Sequence, residues 1–179
     1  MTRSGAEHDG PSRLADRAAE VARTYTRAFL AQGAGFVGLA WCLDQNLPAV
    51  ALGLTALVLI DQAIFLRGRP RLAGAPGLQA GLDLWCLCVS CADLLLLFAA
   101  LFRATGLREA GGVAVADPLS CLAFAVATAA RLDLGLAPVG GGGRLVAALE
   151  ALLADAALVA ALAGAIRLAL RRRPDVTRP

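Results

Sequence analysis

An all-α fold, a polytopic bundle of transmembrane helices, is what this sequence predicts. Three observations carry the prediction. The chain is 58% hydrophobic and only 17% charged, against about 45–50% and about 25% for soluble domains. Its apolar residues fall in blocks long enough to cross a bilayer core of about 30 Å, which takes roughly 20 residues of helix. Polar, basic or Gly/Pro-rich stretches separate those blocks.

Each element follows in order. Residues 1–27 carry Glu7, Asp9, Asp16, Glu20 and five arginines, with no apolar stretch that would make a cleavable signal. Within them, Leu14, Ala18, Val21, Ala22 and Tyr25 repeat at helical spacing, leading to Phe29. The pattern fits an amphipathic helix, either lying at the membrane interface or solvated. Residues 28–46 form the first expected span. Pro48, acceptable in a first helical turn, opens the second over 48–66, so the pair reads as a tight hairpin. Residues 67–81 read as a loop and 82–102 as the most hydrophobic span. Residues 103–117 read as a polar loop, and Gly140–Gly143 as a flexible linker before a last span over 145–170. The apolar stretch within 118–136 is interrupted by Arg131 and Asp133. It fits a re-entrant element better than a span.

Arginine placement sets the topology, because cytoplasmic flanks are enriched in positive charge. All 17 basic residues are arginine. With four spans and both termini cytoplasmic, twelve arginines fall inside and four outside. Among the twelve are Arg67, Arg69 and Arg71, and in the basic tail 171–179 Arg171, Arg172 and Arg173. A fifth span over 118–136 makes the division ten to six. Four spans are therefore favoured, with five as the alternative. The lysine-free, alanine- and leucine-rich composition fits a GC-rich coding genome.

Several function classes are excluded. The arginines form no continuous basic face, so no nucleic-acid partner is expected. No GxSxG, HExxH or phosphate loop is present, so no enzyme activity and no cofactor are expected. Cys86, Cys88 and Cys91 do not share one helix face and lack a fourth ligand, so they read as small buried hydrophobes rather than a metal site. Cys42 and Cys121 also lie in apolar segments.

Acids inside the spans are the chemical leads, because charge in hydrocarbon is costly. They are Asp61, Asp93, Glu150 and Asp155, with Asp83 nearer a helix end. They fit either a cation or proton path around a central cavity or polar contacts between helices, and no deep arginine is expected beside them. Small residues at spacing four, Ala34 with Gly38 and Ala156 with Ala160 and Gly164, mark faces for close helix packing. Such faces suit another helix of the same chain, a second membrane protein or a homo-oligomer. The leading expectation is a non-enzymatic partner of another membrane protein. A small channel or carrier is the alternative.

The layout resembles the four-pass alphaherpesvirus envelope protein that partners glycoprotein K. The similar features are the first hairpin, the basic loop Arg67-Gly68-Arg69-Pro70-Arg71-Leu72-Ala73-Gly74-Ala75-Pro76, and Asp117-Pro118-Leu119 before the last apolar region. The resemblance implies a viral glycoprotein partner, a role in egress or fusion, and residence in the virion envelope and host Golgi membranes. The chain departs from that pattern in its short amino-terminal tail and in Gly140–Gly143. An inner-membrane protein of a high-GC bacterium is the competing origin.

Overall fold

A computed structural model describes the backbone of residues 11–68 and 76–171, and side chains over 19–68 and 80–166. Among the described residues there are five helices: α1 Pro11–Gln45, α2 Pro48–Gly68, α3 Pro76–Thr105, α4 Pro118–Ala129 and α5 Gly140–Arg171. The all-α class holds. Three helical stretches, Pro48–Gly68, Ala80–Thr105 and Gly140–Ile166, are long and apolar enough to cross a membrane. The apolar half of α1 is not among them; Gln32, the glycines and the Asp44-Gln45 end dilute it. With 12 residues, α4 spans about 18 Å at about 1.5 Å per residue. That is short of the bilayer core of about 30 Å.

Helix α1 is one continuous helix of 35 residues. The charged lead-in and the apolar half are joined without a break between them. Of its buried residues, Tyr25, Ala28, Gln32, Gly35, Leu39 and Cys42 alternate at spacings of three and four, the seam of a coiled-coil pair. The matching seam on α2 is Ala51, Thr55, Val58 and Gln62. Two glycines let the backbones approach. A Cβ on Gly35 would fall 2.5 Å from Val58 Cγ2, and one on Gly38 would fall 2.6 Å from Leu54 Cδ2. Of the expected pair, Gly38 meets α2 and Ala34 does not. Ala34 is exposed and Gly35 fills the interface. At the far end of the pair, Tyr25 meets Phe65 edge to face at 5.4 Å.

The hairpin turn is a Schellman motif. Asn46 takes a left-handed φ of 56°. Its N–H donates to the Leu43 carbonyl, and the Leu47 N–H donates to the Cys42 carbonyl. Arg103 of α3 completes the cap. Its guanidinium donates to the carbonyls of Leu43 and Asp44 and, from Nε, to that of Ala116 at 3.0 Å.

Helix α3 is the spine. Leu96–Ala100 and Phe102 are buried in one core with Leu39, Cys42, Cys121 and Phe124. Phe102 and Phe124 stack edge to face at 4.8 Å. Helix α4 is capped by Asp117, which accepts from the Ser120 N–H at 2.8 Å. That bond holds the Asp117 carboxyl below the usual carboxylate range.

Of the expected loop 103–117, residues 103–105 finish α3 and 107–115 form a hairpin. Strand β1 (Leu107–Glu109) pairs antiparallel with β2 (Ala114–Val115) and with β3 (Leu136–Pro138). Gly112 supplies the turn at a φ of 82°. Gly140–Gly143 is likewise no linker; it is the first turn of α5. A Cβ on Gly143 would meet Pro138 Cβ at 3.0 Å and Thr105 Oγ1 at 3.4 Å. The glycine run therefore lets α5 seat on the end of α3 and on β3. Helix α3 begins at Pro76, earlier than expected.

Arg67 sits exposed in the last turn of α2, where a cation complements the helix dipole. Arg171 closes α5. Arg69, Arg71, Arg172 and Arg173 lie outside the described residues.

The glycine seam makes a direct prediction. Gly35→Leu should destabilise the fold by about 1–3 kcal/mol through overpacking. Gly33→Leu, on the open side of the same helix, where an added Cβ would have nothing within 4 Å, should leave the thermal midpoint unchanged. Equal midpoints for the two variants would contradict the packing described.

Candidate functional site

The acids of the spans lie in separate surroundings. Asp93 is fully buried on α3, and neither carboxyl oxygen has a hydrogen-bond partner. It lies on the face of α3 that carries Ser90. The Ser90 hydroxyl lies 2.5 Å from Gln62 Oε1 of α2 and 2.8 Å from the Cys86 carbonyl, and donates to these acceptors. Gln62 Nε2 and Gln32 Oε1 are buried without partners. Gln32 lines a cleft with Trp85, Val89 and Ala92 of α3. The interior of α1, α2 and α3 therefore holds a polar set: Gln32, Thr55, Gln62 and Asp93, with Ser90 at its edge.

Glu150 of α5 occupies the other side of α3. It is 2% exposed, with both carboxyl oxygens unpartnered. It lines a cavity with Cys91, Leu95 and Phe98 of α3. At roughly 100° per residue, those three lie about 140–160° around α3 from Asp93. The wall of α3 separates the two acids.

Two of the remaining acids, Asp155 and Asp61, have an arginine at hand, where none was expected deep beside them. Asp155 is exposed on α5 and bonds Arg131 at 2.5 Å. Arg131 is held in a left-handed conformation, φ 60°. It is the C′ residue of a Schellman motif in which its N–H donates to Thr128 and that of Leu132 donates to Ala127. Asp61 of α2 lines a cleft with Thr24 and Arg27 of α1. Asp83 lines the α2–α3 cleft with Gln62 and Ser90.

The second packing motif, Ala156, Ala160 and Gly164, lies wholly on the exposed part of α5. No helix of this chain covers it among the described residues. Nor, among the described residues, do three His, Cys, Asp or Glu side chains converge to hold a metal ion.

Sequence reasoning missed Gln32, Thr55 and Gln62. The alternating three-and-four spacing of the α1 and α2 seams was the signal, since both glutamines fall in phase with it.

Fold and site together define a predominantly helical protein of the all-α class, with three helices long and apolar enough to span a bilayer. No family model, curated protein or solved structure matches the chain.

The Arg131–Asp155 pair links the end of α4 to α5. A double-mutant cycle of Arg131→Gln and Asp155→Asn, read by thermal unfolding in nanodiscs, should give a coupling of about 0.5–1 kcal/mol. Strictly additive single effects would show that the pair does not join the two helices.

Proposed function

We propose that this chain is a four-span integral membrane protein, with both termini cytoplasmic, that works without catalysis by packing α5 against another membrane protein. The observation that carries the reading is the bare face of α5. Ala156, Ala160 and Gly164 repeat at spacing four on a helix whose span is only 11% buried within the chain. Small residues at that spacing allow close helix contact in lipid. The layout resemblance makes a viral envelope glycoprotein the first partner to try.

The α1–α2 hairpin supports four spans. The two helices pair along their length, from Leu47 to Tyr25 and Phe65. A crossing α2 therefore carries the apolar half of α1 with it. The outer face of that half is apolar, with Leu30, Phe36, Val37 and Trp41 exposed. The twelve-to-four arginine division favours the same topology.

Two measurements decide the reading. Ala160→Leu combined with Gly164→Leu should abolish association of the full-length protein in membranes, measured by crosslinking or co-purification, and leave its thermal midpoint unchanged. Undiminished association removes α5 as the contact. A carboxy-terminal tag should be reached only from the cytoplasmic side, and labelling from the opposite side overturns the four-span topology.

A second reading rests on Asp93, whose buried, unpartnered carboxyl is the kind of group that ion paths use. The scaffold reading expects no cation or proton flux in proteoliposomes. A current that Asp93→Asn abolishes would establish the second reading instead.

A further inference from the structure

The cavity beside Glu150 is separate from the bare face of α5 and stands independently of the proposed function. Its origin is local. Helix α5 turns Glu150, Ala154 and Ala157 toward α3, and the two alanines are too short to fill the gap. What remains is a space of about 200 Å³. Leu94, Leu95 and Phe98 form its apolar walls, and Leu153, 47% exposed, stands at its mouth. Glu150 is the carboxyl at its inner surface, with both oxygens lacking a hydrogen-bond donor.

Among the described residues, no cation of this region reaches that carboxyl. Helix α4 carries no charged side chain. Arg131 is engaged by Asp155. Arg144 is exposed and lies about 120° around α5 from Glu150 at roughly 100° per residue. Arg103 is bound to the carbonyls of Leu43, Asp44 and Ala116. On α3, Asp93 faces the opposite side. A buried carboxylate without a counter-charge or donors is strongly disfavoured, so a guest that brings both fits the space.

We propose that this cavity is a binding site for a single-chain aliphatic amine, its ammonium head on the Glu150 carboxylate and its alkyl chain along Leu94, Leu95 and Phe98. The ammonium supplies up to three donors and the missing charge. The walls accept the chain by burial of apolar surface. A diacyl phospholipid with an amine headgroup fits less well, because its phosphate would accompany the amine toward a carboxylate.

Cys91 is a built-in reporter, since it lines the same cavity. Cys88 is exposed on the α1 side of α3 and serves as the internal control. The full-length protein in detergent is treated with N-ethylmaleimide, and alkylation of each cysteine is followed by mass spectrometry. Dodecylamine should slow alkylation of Cys91 several-fold relative to Cys88, whereas 1-dodecanol and dodecanoic acid should not. This comparison uses the native chain and needs no variant. Glu150→Gln should remove the protection by dodecylamine. Equal protection by amine and alcohol, or protection that survives Glu150→Gln, overturns the proposal. Protection by phosphatidylethanolamine vesicles equal to that by dodecylamine also overturns it, assigning the site to a lipid headgroup.

Discussion

The guanidinium of Arg103 holds the two halves of this protein together. A helix leaves its last carbonyls without intrahelical partners, and side chains, turns or water must satisfy them. The Schellman turn at Asn46 satisfies part of that need at the end of α1. Arg103 reaches across from α3 to satisfy Leu43 and Asp44 and also holds Ala116, just before α4 begins. One planar group thereby fixes the end of α1, the end of α3 and the entry to α4 at one level. Lysine, with a point charge in place of a planar fork, would not match three carbonyls in this way.

From that level the architecture divides around α3. One side is a hairpin whose glycines allow a close, in-phase seam. The other side is a short helix and a long one, seated by a small sheet and a glycine turn. The division explains why the acids are not one site. Asp93 belongs to the polar interior of α1–α3, among glutamines and hydroxyls. Glu150 belongs to an apolar cavity between α3 and α5. Asp155 and Asp61 lie at more exposed positions with arginine at hand. Four carboxylates of one chemical type therefore have three distinct environments.

Much of the helical layout was legible in the sequence, because long apolar blocks and Pro/Gly breaks follow directly from burial and backbone chemistry. The three strongest spans and the short α4 were all visible in this way. The glycines were harder to read. Gly140–Gly143 has the composition of a linker, yet its lack of side chains serves close packing, which only the positions of Pro138 and Thr105 reveal. Ala34 and Gly38 satisfied a spacing rule, but helix phase puts Gly35, not Ala34, in the seam with Gly38 beside it. The Arg131–Asp155 contact joins residues 24 apart, and no local pattern signals such a pair. The small sheet was hidden because its strands are two or three residues long, too short for alternation to show.

The distance along the chain between Asp44 and Arg103 has a consequence for biosynthesis. The two are 59 residues apart, so at about 5–20 residues per second the ribosome needs roughly 3–12 s to supply the arginine after the aspartate. For the later part of that interval, once Gly68 is made, the α1–α2 hairpin is complete in sequence, but the end of α1 has only its own turn for a cap. The hairpin is thus a provisional unit during synthesis, and arrival of the third helix makes it permanent.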